Sequence, residues 1–138
     1  MRFLIIDGQG GRLGCALLEN IRKSFPTADI TGVGINSIAT SAMMKTKCAD
    51  RVATGENSVV VCSKTADVIV CPLGIALANS LLGEVTPRIA YAVSTSDAKR
   101  VLIPMNMCDT FVAGVSGSSV SVIENAMEHI RELMQQKE

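Results

Sequence analysis

Residues 3–14 read FLIIDGQGGRLG, and this stretch decides the fold. Its first four residues form a continuous apolar run, as expected of a central strand that is buried on both faces. Four glycines follow within residues 8–14. Beyond them, apolar side chains recur every four residues, at Leu13, Leu17, Ile21 and Phe25. That spacing marks one face of a helix, so the stretch predicts a buried strand, a glycine-rich turn and an amphipathic helix.

The same alternation continues along the chain. Further strands are predicted at residues 29–34, 51–53, 68–71 and 101–103, with 110–115 as a candidate last strand. Helices are predicted at residues 37–47, 55–62 and 75–82, from Thr86-Pro87 onward, and through the apolar stripe of residues 123–134. This alternation predicts an α/β fold: a three-layer, Rossmann-like single domain over residues 1–138, with a mostly parallel sheet of about five or six strands.

The glycine loop is the strongest candidate site. The strict GxGxxG pattern fails, because counting from Gly8 and Gly10 puts Leu13 at the last glycine position. A GxxGxxG spacing fits through Gly8, Gly11 and Gly14. We expect the first to make the tight turn, the second to admit a pyrophosphate to the backbone, and the third to let the helix pack close to the strand. Unpaired N–H groups at the helix start then face the anion.

The predicted cofactor is NADP(H) or NAD(H), and the alternative is that the glycines serve only a tight strand-to-helix turn. The candidate cofactor-binding residues are Gly8, Gln9, Gly10, Gly11, Arg12, Gly14 and Asn36. A domain that prefers NAD usually has Asp or Glu at the end of the second strand, where this sequence has Gly34-Ile35-Asn36-Ser37. Asp29 falls at the strand's beginning instead. NADP, a mononucleotide, or a ribose contact through Asn36 therefore stay open.

Other polar residues are expected at the same edge of the sheet. They are Asn36, Ser37, Thr40, Glu56, Asn57, Asn79, Glu84, Asn106 and Asp109. A possible pocket comprises Thr40, Glu56, Asn57, Asn79 and Asn106, with Glu56 as the best placed carboxylate for acid–base work. The alternative is that each of them only caps a loop or a helix. Asp7 is expected to orient the glycine loop through its backbone amides.

Charge and residue counts exclude several function classes. Thirteen basic residues balance thirteen acidic ones, so the basic surplus that phosphate-driven nucleic-acid binding needs is missing. Five cysteines without a CxxC pair and one histidine, His129, predict neither a metal site nor a disulfide scaffold. Cys71 and Cys108 are expected to be inert thiols, because no His or Lys is placed to activate either.

Apolar content bears on location and assembly. The first residues lack a signal-peptide core, and the longest uncharged run, residues 68–83, is interrupted by proline and glycine. We therefore expect a cytoplasmic protein without a membrane span. Apolar residues make up 48% of the chain and charged residues only 19%, which favours an apolar surface patch and a homo-oligomer.

No catalytic residue can be assigned. Tyr91 is followed four residues later by Thr95, so the Tyr-xxx-Lys pair of short-chain dehydrogenases is missing, and GxSxG, GxxxxGK[ST] and HExxH do not occur. A minimal oxidoreductase and a redox or nucleotide sensor both remain open. The rival class is a non-catalytic structural or partner-binding protein that keeps the glycine turn without a nucleotide.

Two resemblances add to this interpretation. Gly8 to Gly14 resembles the Gly-x-x-Gly-Arg-x-Gly loop of dihydrodipicolinate reductases, which implies that Arg12 lies near a pyrophosphate or a 2′-phosphate. The alternative is that Arg12 is a solvated residue of the first helical turn. The whole chain resembles a small family of uncharacterised bacterial proteins, common in anaerobic Firmicutes. The matching stretches are residues 6–11, 36–42, 54–57 and 78–87. This second resemblance implies a Rossmann-like single domain and transfers neither an activity nor a catalytic residue.

Overall fold

Five parallel strands form one sheet in a computed structural model that describes residues 1–104, 110–116 and 118–136. The strands are β1 (Arg2–Asp7), β2 (Asp29–Gly34), β3 (Arg51–Thr54), β4 (Val68–Pro72) and β5 (Lys99–Ile103). The helices are α1 (Arg12–Ser24), α2 (Ser37–Lys45), α3 (Glu56–Ser63), α4 (Pro87–Ser94) and α5 (Ser119–Gln135), with a 3-10 turn at Leu73–Ala76. The spatial order β3-β2-β1-β4-β5 reverses direction between β1 and β4.

Alternating side chains of β1 divide the core between the two faces of the sheet. Phe3 and Ile5 pack with buried residues of α1 and α5, whereas Leu4 and Ile6 pack with buried residues of α3 and α4. All four side chains are at most 1% exposed, as the continuous apolar run predicts for a strand covered on both sides. The predicted three-layer, Rossmann-like α/β fold is confirmed, with every pairing in this sheet parallel.

Polar side chains cap α2, α4 and α5 at their N-termini. The Asn36 side chain accepts a hydrogen bond from the Ala39 N–H at 2.8 Å and so caps α2. Thr86 caps α4 by accepting from the Ile89 N–H at 3.1 Å, with Pro87 in the first turn. By contrast, the N-cap residue of α1 is Gly11, which has no side chain to cap the helix. Amide groups at the N-terminus of α1 are therefore left for other partners.

Two predicted elements are wrong. Residues 75–82 do not form an α-helix, because Asn79, Leu81 and Leu82 have positive φ angles that a right-handed helix cannot contain. Residues 110–115 form no strand beyond an isolated bridge at Thr110. Gly114 turns the chain there with a φ of +81°, and Phe111 is 89% exposed, so this segment buries no apolar face. Among the described helices, none combines the length and apolar character needed to cross a membrane.

Candidate functional site

A cavity opens over the glycine loop, where the strand order reverses. In open parallel sheets, this position beyond the carboxyl ends of the strands is where ligands bind. The cavity has a volume of about 230 Å³. It is lined by Asp7, Gly8, Gln9, Gly10, Gly11, Arg12, Leu13, Pro72, Gly74 and Leu81. Most of the lining therefore comes from the loop between β1 and α1, and the rest from the chain after β4.

Asp7 fixes the shape of the glycine loop from inside. Its Oδ1 accepts from the Gly8 N–H at 2.8 Å and its Oδ2 from the Gly14 N–H at 2.6 Å. Burial raises the pKa of Asp7, the two backbone N–H donors offset part of that rise, and the charge of Glu84 adds to it. The structure confirms that this carboxylate orients the loop through its backbone amides.

Three amide groups of the loop stay available. The N–H groups of Gly10, Arg12 and Leu13 donate no hydrogen bond within the described part of the chain. These residues line the cavity and include the first turn of α1, which is 13 residues long. The positive end of the helix dipole lies at the same place, so the loop presents unpaired donors and a favourable field to an anion.

The glycines of the loop differ in what surrounds them. Gly11 has a φ of +76°, and a Cβ there would lie 2.9 Å from the Ala39 Cα of α2. A Cβ on Gly14 would lie 2.8 Å from that of Asp7, which agrees with close packing of α1 on β1. A Cβ on Gly10 would meet nothing within 4 Å. Close packing against α2 thus explains why residue 11 is a glycine. At Gly10, by contrast, the loop surface is open.

Glu84 contacts the glycine loop from a distant part of the chain. Both of its carboxylate oxygens accept from the Gln9 N–H, Oε1 at 2.9 Å and Oε2 at 3.2 Å. Asn36 donates from Nδ2 to Glu84 Oε1 and, at 3.0 Å, to the Gln9 carbonyl oxygen. The sequence indicated Glu84 only as one of many edge residues. The structure brings it together with two predicted site residues, Gln9 and Asn36.

Other predicted pocket residues lie outside this cavity. The Thr40 hydroxyl donates to the Asn36 carbonyl at 2.9 Å and accepts from the Thr54 hydroxyl at 2.8 Å. Glu56 accepts from the Thr86 hydroxyl at 2.8 Å. Asn57 and Asn79 are exposed, and Asn106, Cys108 and Asp109 lie outside the described residues. Thr40 and Glu56 thus make local bonds between neighbouring elements instead of joining the loop in one pocket.

The remaining reactive groups are buried or scattered. Cys71, at the end of β4, is fully buried, and burial together with the charge of Asp7 raises the pKa of its thiol. Such a thiol is a poor nucleophile, because the thiolate is the reactive form. Within the described ranges, no three His, Cys, Asp or Glu residues come close enough together to hold a metal ion.

The fold and the position of the cavity define a Rossmann-like α/β protein. The chain belongs to the family described as Domain of unknown function (DUF3842), whose match covers residues 2–135. This finding confirms the end-to-end resemblance to a family of uncharacterised proteins. No curated protein sequence matches the chain.

Two solved structures are similar to the chain at low sequence identity. The prephenate dehydrogenase from A. aeolicus, crystallised with hydroxyphenyl propionate and NAD+, is 20% identical with a TM-score of 0.54 over 92% of this chain. The chain spans only 38% of that dehydrogenase. A dodecameric FMN-dependent UbiX-like decarboxylase from Escherichia coli O157:H7 is also 20% identical, with a TM-score of 0.48 over 93% of this chain and 77% of the decarboxylase.

Proposed function

We propose that this protein binds a nicotinamide dinucleotide, NADP(H) or NAD(H), with the pyrophosphate on the glycine loop. The observation that carries the proposal is a set of N–H groups, on Gly10, Arg12 and Leu13, that have no hydrogen-bond partner among the described residues and line a cavity at the strand-order reversal. Amide donors at the start of a helix are the groups that Rossmann-like proteins use for phosphates.

Charge and size also support this ligand class. The Arg12 side chain is exposed beside the loop and adds a cation near the amides. Asp7 directs both oxygens at N–H groups of Gly8 and Gly14, which partly offsets its negative charge. The cavity of about 230 Å³ is smaller than the roughly 300–1,000 Å³ of typical ligand pockets. Its size therefore suits the phosphate part of a nucleotide, with the rest extending along the sheet edge.

A bound nicotinamide would supply reversible hydride transfer. The prephenate dehydrogenase of the same fold was crystallised with NAD+, which supports the choice of nucleotide class. We propose an oxidoreductase or a redox sensor, and a single assay separates the two. An oxidoreductase changes the nicotinamide absorbance in the presence of some substrate, whereas a sensor binds the nucleotide without hydride transfer.

Thermal unfolding with a nucleotide panel tests the proposal. The panel contains NADPH, NADP, NADH, NAD, FMN, ATP and AMP. A ligand present at a hundred times its dissociation constant adds about 2.7 kcal/mol to the free energy of unfolding, which raises the midpoint by several degrees. We expect this shift with a nicotinamide dinucleotide. No shift with any member of the panel would favour the rival class, a partner-binding protein that keeps only the turn.

A further inference from the structure

The end of β2 lacks the carboxylate that usually binds the ribose of NAD. The strand ends at Gly34 and is followed by Ile35 and Asn36, none of which is acidic. In NAD-binding Rossmann domains, an Asp or Glu near this point accepts hydrogen bonds from the ribose hydroxyls. The structure nevertheless has a carboxylate beside this strand end, because Glu84 reaches it from the segment of residues 77–86.

The position of Glu84 is defined by hydrogen bonds on two sides. Its carboxylate accepts from the Gln9 N–H of the glycine loop and from Nδ2 of Asn36, the N-cap residue of α2. A Cβ on Gly8 would lie 2.9 Å from Glu84 Oε1, so a glycine leaves the room that this contact needs. The carboxylate thus lies between the loop and the end of β2.

Glu84 keeps unused acceptor capacity. Oε1 accepts from two donors, Gln9 and Asn36, whereas Oε2 accepts only from the Gln9 N–H, at 3.2 Å, within the described part of the chain. An ionised carboxylate offers about four acceptor positions. Oε2 can therefore accept from the hydroxyls of a sugar without breaking its present bonds.

The segment that carries Glu84 is held in an unfavourable backbone conformation. Asn79, Leu81 and Leu82 have φ angles of +66°, +55° and +57°. A positive φ is costly for leucine and persists only where the surrounding structure imposes it, most often at ligand sites. Leu81 also lines the cavity, and Glu84 bonds to Gln9 of the same lining, so the strained turn and the carboxylate both adjoin the glycine loop.

We propose that Glu84 is the ribose-binding carboxylate and that it selects NAD(H) over NADP(H). The inference rests on the proposed function, and it decides between the two dinucleotides that the sequence left open. The hydroxyls of the NAD ribose can donate to Glu84. In NADP, a phosphate replaces the 2′-hydroxyl of the adenosine ribose. This change removes a hydrogen-bond donor and brings the negative charge of the phosphate toward the Glu84 carboxylate.

Titrations with NADH and NADPH, followed by nicotinamide fluorescence, test this role. We expect the wild-type protein to bind NADH at least about tenfold more tightly than NADPH. Glu84→Gln should weaken NADH binding and strengthen NADPH binding, so that the two affinities approach each other. The amide oxygen of glutamine still accepts from the Gln9 N–H, so this variant should keep the wild-type unfolding midpoint within a few degrees.

Two further variants serve as controls. Glu19→Gln makes the same change in net charge at an exposed position of α1 and should keep the wild-type preference. Glu84→Asp keeps the charge but withdraws the oxygens by one methylene, so NADH affinity should fall even though the net charge is unchanged. Glu84→Asp also tests the role of Glu84 in NADH binding if Glu84→Gln does not fold.

The outcomes separate the two proposals. A wild-type protein that binds neither dinucleotide contradicts the proposed function and this inference together. A wild-type protein that binds both dinucleotides but prefers NADPH overturns the role of Glu84 and leaves dinucleotide binding intact. So does a wild-type preference for NADH that persists unchanged in Glu84→Gln and Glu84→Asp.

Discussion

Gly10 and Gly11 are adjacent in the loop, but their surroundings predict different effects of substitution. A Cβ at Gly10 meets no atom within 4 Å, so for Gly10→Val we expect nearly wild-type stability. We expect its nucleotide affinity to fall at least about tenfold, because the side chain covers the free amides. Gly11→Val should instead lower the free energy of unfolding by about 1–3 kcal/mol, because of its positive φ and the contact with Ala39.

Chemical denaturation and NADH titration of both variants check this contrast. Gly10 is the cleaner choice for a binding test, because a bulky residue at Gly11 disturbs folding whether or not a nucleotide binds. Undiminished NADH binding by Gly10→Val would argue against an anion on the loop amides.

Arg12 provides a second test at the residue scale. Its side chain is exposed and borders the cavity, so Arg12→Gln should lower the affinity for NADH and NADPH alike, by roughly fivefold, and weaken the salt dependence of binding. Titrations at two ionic strengths measure both effects. A loss confined to NADPH would assign the guanidinium to the 2′-phosphate instead of the pyrophosphate.

The site was only partly predictable from residue patterns. The role of Asp7 followed from its position between a buried strand and the glycines, where its carboxylate faces amides only a few residues away. The contact between Glu84 and Gln9 joins residues 75 positions apart. It depends on left-handed Leu81 and Leu82, a conformation that leucine rarely adopts, so no local signal indicates it.

At the scale of elements, close approach between β2 and α2 explains why a strand here contains glycine. A Cβ on Gly34 would lie 2.8 Å from the Thr40 Cα and closer still to the Thr40 nitrogen. Gly34→Ala should therefore lower the free energy of unfolding by about 1–3 kcal/mol. Gly10→Ala, where the new methyl meets open space, is the matched control in denaturant titrations. Equal stability of the two variants would contradict this packing.

Asp50 links α1 to the start of β2 and makes stability depend on pH. It accepts from the Ile30 N–H at 2.7 Å and from Arg22 at 2.9 Å. The Ile30 bond, followed by Arg22, lowers the pKa of Asp50 below its ordinary value of 3.8. A carboxyl with a lowered folded-state pKa stabilises the protein above its unfolded-state pKa and loses that contribution as the pH falls.

Asp50→Asn should therefore be modestly less stable than the wild-type protein at pH 7, and the difference should shrink as the pH falls below about 4. The effect is small because the Asp50 side chain is 46% exposed. Urea denaturation at a series of pH values measures it. A difference that stays constant down to pH 2 would show that the charge of Asp50 is not its cause.

Elements with a strong apolar period were predicted well, and irregular ones were not. All five strands of the sheet were expected near their observed bounds, because each is a short β-rich run between turn residues. The errors fall after β4 and β5. The apolar residues Leu82 and Phe111 in these segments are almost fully exposed. Their apolar character suggested a helix and a strand, but neither segment buries them against the core.

At the scale of the whole molecule, several large apolar side chains remain exposed. Ile38 and Met44 of α2 are 69% and 58% exposed, and Tyr91 of α4 is 70% exposed. Such surfaces are ordinarily covered by association, so we predict a homo-oligomer. Sedimentation velocity should give a mass that is a multiple of 14.6 kDa. A monomer at micromolar concentration would contradict this prediction.

The sheet order also determines which residues lie together at the proposed site. The reversal between β1 and β4 brings the glycine loop, the chain after β4 and Glu84 to one edge. Of the other predicted polar residues, Glu56 and Thr40 bond elsewhere along that edge. We propose that a nicotinamide dinucleotide binds at this single position.

Isothermal titration calorimetry of NADH into the wild-type protein and into Gly10→Val measures this binding. We predict saturable binding of one NADH per wild-type chain, an affinity at least about tenfold lower in the variant, and equal unfolding midpoints for the two free proteins. The absence of binding to the wild-type protein, or equal affinity in both, would contradict it.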